Sequence, residues 1–153
     1  MECALVFRLL VCGAALFFHT LVMAKSVTID MLNGSGADAM VFKPAVIKIE
    51  VGETVVFKSI DPGHQVTFID GPTGYGGPWQ SELSSDFVVT PSIPGTYSYI
   101  CAPHLLMGMI GILQVGPDVN IHGPEKAFAA RKKHIQLNKE RVESYIKELK
   151  DLR

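Results

Sequence analysis

Cysteine is scarce. The 153-residue chain has three, and two of them, Cys3 and Cys12, fall within the first 24 residues. Only Cys101 is left for the body of the chain, so no intramolecular disulfide can staple it. Charge of one sign is also lacking. Fourteen Lys and Arg stand against fifteen Asp and Glu, a formal charge of −1. A balance that close gives no electrostatic footprint for nucleic acid. Internal repeats and low-complexity segments are absent. The apolar run from Leu9 to Phe18 is interrupted by His19 and Thr20. It is too short to be read as a membrane span, and no stable membrane association is expected.

What is present begins with an export signal. Arg8 precedes the apolar run, and Val22-Met23-Ala24 offers small or modest residues at cleavage positions. Residues 1–24 therefore read as a secretory signal peptide cut after Ala24. The remainder, residues 25–153, is long enough to bury a core without staples.

From Ser26 to Val115 the chain reads as short extended runs divided by turns. Val27–Leu32 is ended by Asn33-Gly34-Ser35-Gly36. Val46–Val51 alternates apolar with charged residues. Thr54–Phe57, Val66–Ile69, Asp86–Thr90, Thr96–Cys101 and Ile110–Val115 are further strand candidates. Asp70–Gln80 carries four glycines and two prolines and is expected to be a long surface loop. This pattern predicts an all-β sandwich over residues 25–116. Composition changes after Gly116-Pro117: charges crowd and glycine becomes rare. Helices are expected over 125–133 and 135–152, packed on the sandwich. Residues 117–153 are thus read as a helical extension of the same domain.

One string carries chemistry: Cys101-Ala102-Pro103-His104-Leu105-Leu106-Met107-Gly108-Met109. It sets a thiol, an imidazole and a thioether within nine residues. A second imidazole, His64, lies upstream in Pro62-Gly63-His64-Gln65. Each residue alone has a plainer reading. A lone buried cysteine is usually inert, a single histidine is usually a turn residue, and a single methionine is usually core. Their joint spacing is what defeats those readings. A Cys, two His and a weak axial Met form the ligand set of a blue-copper electron-transfer site. Thiolate and thioether favour Cu(I), while imidazole also suits Cu(II). Pro103 stiffens the loop and removes a backbone N–H that could otherwise reach the sulfur. Met107 is read as loop packing. His122 and His134 sit in the helical tail without ligand spacing.

At these residues the chain resembles the cupredoxins, and among them the pseudoazurins. The resemblance rests on Met31-Leu32-Asn33, Ala39–Ala45, Gly52-Glu53-Thr54-Val55, Gly63-His64, Pro94-Gly95-Thr96-Tyr97 and Cys101–Met109. It implies an eight-stranded Greek-key cupredoxin β-sandwich with two C-terminal α-helices. It also implies one type I copper held by His64, Cys101, His104 and Met109. Such proteins are soluble one-electron carriers of the bacterial periplasm, working as monomers with transient redox partners. Those partners include a donor cytochrome or other carrier and a reductase such as copper nitrite reductase. The His104 edge would be the electron port, ringed by apolar residues. The chain departs from the family pattern at Gln65, where asparagine is usual, and at Leu105, where an aromatic is frequent. Lysines usual around the port are replaced by Pro62 and Ile100.

Other classes fit less well. A copper enzyme would need further histidine ligands, and only His122 and His134 are spare. A copper delivery protein without a redox role is the alternative, but such proteins favour exposed Met-rich or His-rich sites. Zn(II) suits the same donors and would carry no electron.

Overall fold

The computed structural model describes residues 25–152. The expected signal peptide, residues 1–24, lies outside the described residues. Eight strands are described: β1 Ser26–Leu32, β2 Val41–Lys43, β3 Val46–Ile49, β4 Thr54–Ser59, β5 Thr67–Asp70, β6 Phe87–Val89, β7 Gly95–Ile100 and β8 Ile110–Val115. They form two four-stranded sheets, ordered β2-β1-β4-β6 and β3-β8-β7-β5. β1 runs parallel to β4, and β3 runs parallel to β8.

The strand sequences explain which faces are covered. In β1, Ile29 and Met31 are buried while Thr28 and Asp30 point away. That is the period-2 pattern of a half-solvated strand. In β7 and β8 every residue is buried. One face of these strands sends Tyr97, Tyr99, Leu113 and Val115 between the sheets. The other face sends Ile100, Ile110 and Ile112 into a second cluster with Phe128, Ile135, Ile146 and Leu149. A strand covered on both sides has no solvated face, so Ile110-Gly111-Ile112-Leu113 shows no polar alternation.

The space between the sheets is filled by aromatic rings. Tyr99 meets Phe42 and Phe57 edge-on at centroid distances of 4.9 and 5.1 Å. Phe57 meets Phe68 at 6.0 Å. Gly111 lies opposite Tyr99 in the β7–β8 register, and a Cβ there would collide with the Tyr99 ring. The expected surface loop of residues 70–80 is better anchored than its composition suggests. Trp79 stacks on Tyr97 with the rings 5.6 Å apart and 13° from parallel.

The tail forms α1, His122–Ala129, and α2, Glu140–Asp151. Both are shorter than the 125–133 and 135–152 expected. α1 starts ahead of Pro124, because a helix's first turn tolerates a residue without an N–H. Residues 135–139 are not helical, because their backbone is used elsewhere. The N–H groups of Gln136 and Leu137 donate to the Leu106 carbonyl at 2.9 and 3.0 Å. Asn138 then takes φ +50°. Burying Phe128 and Leu149 fully contributes roughly 1.5–3 kcal/mol each to holding the tail on the sheet. No helix among the described residues is long and apolar enough to cross a membrane.

Candidate metal centre

Cys101 follows the last residue of β7, and Met109 precedes the first residue of β8. The Cys101 N–H donates to the Met109 carbonyl at 2.9 Å. The two residues thus continue the strand register and fix the base of the loop between them. Inside that loop the N–H of His104 donates to the Cys101 carbonyl at 3.1 Å, and that of Met107 to the His104 carbonyl at 3.0 Å. Leu105–Met107 make a single 3-10 turn, ended by Gly108 at φ +74°. A side chain is strained there by its backbone angle, and its Cβ would also press on the Leu137 carbonyl oxygen at 2.9 Å.

His64 comes from the connection between β4 and β5, which crosses from one sheet to the other. Two serines brace this connection, and sequence reasoning did not single them out. Ser84 Oγ accepts from the Gly63 N–H at 2.8 Å, and the Ser84 N–H donates to the His64 carbonyl at 2.8 Å. Ser81 Oγ accepts from the Val66 N–H at 3.0 Å. Gln65 stands at the departure from the family pattern and still serves in two ways. Its backbone N–H donates to Cys101 Sγ at 3.4 Å. Its side-chain amide donates to the Ser81 carbonyl at 2.8 Å. Ser81 and Ser84 had no spacing signal, because hydroxyl-to-loop bonds of this range follow no sequence period.

The structure brings His64, Cys101 and His104 together. Cys101 Sγ lies 3.9 Å from His64 Nδ1 and 3.4 Å from His104 Nδ1, and the two Nδ1 atoms are 3.1 Å apart. A point equidistant from the three atoms lies about 2 Å from each, close to a metal–imidazole bond and a little short of a metal–thiolate bond. His64, Cys101 and Met109 are fully buried, while His104 is partly exposed. Met109 belongs to the same buried cluster as Cys101. His122 and His134 are exposed in the tail, outside the donor cluster.

The electrostatics of the cluster ask for a cation. Burial pushes the Cys101 thiol up from its ordinary value, opposed in part by the backbone N–H groups of Gln65 and His104. Burial also lowers His64, helped by the neighbouring His104 and opposed by Asp61. His64 is therefore poised as a neutral donor beside His104. A thiolate in this apolar surrounding needs a positive partner on the side that faces them. Two imidazoles, a thiol and a buried thioether are the donors that suit copper.

Comparison with known proteins decides the family. A family model for copper-binding proteins of the plastocyanin/azurin family matches residues 29–116. The chain belongs to that family. Cys101, His104 and His64 fall inside the matched segment. A putative pseudoazurin of Rhizobium leguminosarum bv. viciae is 39% identical over 112 residues, covering 72% of this chain and 74% of that protein. The pseudoazurin of Paracoccus pantotrophus is 35% identical over 105 residues, covering 67% and 68%. The crystal structure of pseudoazurin from Methylobacterium extorquens AM1 superposes with a TM-score of 0.67 at 27% identity, covering 82% of this chain and 99% of that one. That coverage is more than the sandwich alone supplies, so the likeness takes in the helical tail. The fold is the cupredoxin sandwich, and copper is the family's metal.

Proposed function

We propose that this cupredoxin is an exported, periplasmic one-electron carrier whose single type I copper is held by His64, Cys101, His104 and Met109. The convergence of Cys101 Sγ and the two Nδ1 atoms within 4.8 Å, in an otherwise apolar interior, carries the reading. Copper bound in this set supplies a Cu(I)/Cu(II) couple. The protein's part is to keep the donors still in both oxidation states. The β7–β8 base does this for Cys101 and Met109, and the Ser81–Ser84 segment does it for His64.

The electron route is supported by exposure. His104 is the one imidazole of the set that reaches the surface. Four exposed large apolar residues lie on the loops at its end of the sandwich: Ile60, Leu83, Leu106 and Leu137. They sit on or beside segments bonded to the ligand loops. Leu137 N–H bonds the Leu106 carbonyl, and Ser84, next to Leu83, bonds Gly63 and His64. A largely apolar ring fits a small, short-lived interface that forms without strong charge steering. A periplasmic reductase such as copper nitrite reductase is the acceptor this reading names. The helical tail is read as part of the same domain, and the protein as a monomer whose port stays free.

Stopped-flow oxidation of the reduced protein by a copper nitrite reductase tests the route. The wild-type rate is expected to change little with salt, and Leu106→Glu to slow transfer roughly tenfold or more, as a charge placed in an apolar contact patch should. An unchanged rate in Leu106→Glu, with its copper spectrum intact, would move the port away from this face.

A further inference from the structure

Arg141, near the start of α2, is a buried cation with an unusual set of partners. It is 6% exposed, and no carboxylate lies within ion-pair distance of it among the described residues. Its guanidinium instead donates to four backbone carbonyls. One terminal nitrogen reaches Met40 at 2.8 Å and Gly108 at 3.2 Å. The other reaches Ala37 at 2.6 Å and Ala39 at 2.7 Å. Leaving a charge buried without a counter-ion is costly unless every donor is satisfied.

The destinations of these bonds matter more than their number. Anchoring of the tail is already provided by Phe128, Ile146 and Leu149 on the sheet. None of the Arg141 bonds goes to the sheet that those residues cover. All go to the loop end where the metal donors converge. Gly108 is the residue before Met109. The segment 37–40 leads to the other ligand loop: Met40 N–H bonds the Asn33 carbonyl at 2.8 Å. Asn33 N–H bonds Asp61 Oδ2 at 2.7 Å, and Asp61 starts the Asp61-Pro62-Gly63-His64 turn. Asn138, three residues before Arg141, adds a bond from its amide to the Met107 carbonyl at 2.9 Å. The tail therefore grips the Cys101–Met109 loop at three successive carbonyls, those of Leu106, Met107 and Gly108.

We propose that Arg141 is a positioning residue for the copper centre, tying the Met109 loop to the 37–40 segment and so setting where Met109 sits relative to His64 and Cys101. The inference rests on the four-ligand reading given above. A planar guanidinium fits this role, because its five N–H groups leave in fixed directions and can hold several carbonyls in one plane. A lysine ammonium keeps the charge but has a compact head with fewer donors.

Arg141→Lys and Arg141→Gln in the full Cu(II)-loaded protein test the role. Folding is followed by far-UV circular dichroism of the metal-free forms. Two readouts follow that a tail anchor would not move: the intensity ratio of the two thiolate-to-copper absorption bands, and the rate of copper release to a chelator. The expected result is a changed band ratio in both variants and release faster by roughly tenfold or more, the usual effect of losing an outer partner of a metal ligand. The smaller change is expected in Arg141→Lys. If Arg141→Gln fails to fold, Arg141→Lys decides. Folded variants with the parental ratio and release rate would overturn the proposal and leave Arg141 as an anchor of the tail. Absence of the bands from the unsubstituted protein would sink the four-ligand reading itself.

Discussion

At the scale of single residues, the candidate donors His64, Cys101 and His104, which the structure brings together, were legible because their chemistry needs few, distinctive side chains. Cys101 and His104 share one loop, and no other cysteine competes for the role in the body of the chain. The supporting residues were not legible in the same way. Ser81, Ser84 and Arg141 act through backbone carbonyls and N–H groups far away in sequence, and those bonds leave no spacing behind. Gln65 shows the reverse. The sequence set it apart as a departure at the asparagine position, and the structure gives it a direct bond to Ser81. Gly108 is a residue whose need is conformational. Its φ of +74° and the nearby Leu137 carbonyl leave no room for a methyl group. Gly108→Ala is expected to lower stability by about 1–3 kcal/mol, measured by urea unfolding of the metal-free protein. A change within error would mean that the loop relaxes freely around this position.

At the scale of elements, periodicity served where one face meets water and failed where none does. β1 and β3 alternate and were readable with nearly their true ends. β2, only three residues long, is too short to show a period. The helix expected from Ile135 onward would have put Leu137 on its apolar stripe, yet the N–H groups of Gln136 and Leu137 bond the Leu106 carbonyl and Asn138 turns at φ +50°, so the helix starts only at Glu140. Tertiary bonding overrode local propensity there. The element that ties the two sheets together is β4, through Phe57. Its ring is fully buried and meets Phe42, Phe68 and Tyr99 edge-on. Phe57→Ala removes those contacts and opens a cavity between the sheets. A loss of about 3–5 kcal/mol is expected, read from the denaturation midpoint at an unchanged slope. A loss under about 1 kcal/mol would show that the aromatic cluster repacks and is not the element that fixes the sandwich.

At the scale of the whole molecule, two sheets and a helical tail converge on one end. The β7–β8 pair delivers Cys101 and Met109, the β4–β5 crossing delivers His64, and the tail grips the loop from outside. Strand and helix content could be read from patterning; the convergence of His64 on the Cys101–Met109 loop was implied only by the family resemblance, because it depends on how the sheets face each other. The long reach of this arrangement separates a rigid carrier from a delivery protein. A delivery site must open to release its metal, whereas here Cys101, His64 and Met109 are sealed from solvent and only His104 reaches it. The visible absorption spectrum of the Cu(II)-loaded protein, followed through ascorbate reduction and air reoxidation, tests this account most directly. An intense thiolate-to-copper band that bleaches, returns, and is missing in Cys101→Ser is the predicted result. No intense band, with Cys101 still free to react with a thiol reagent in the presence of copper, would contradict it.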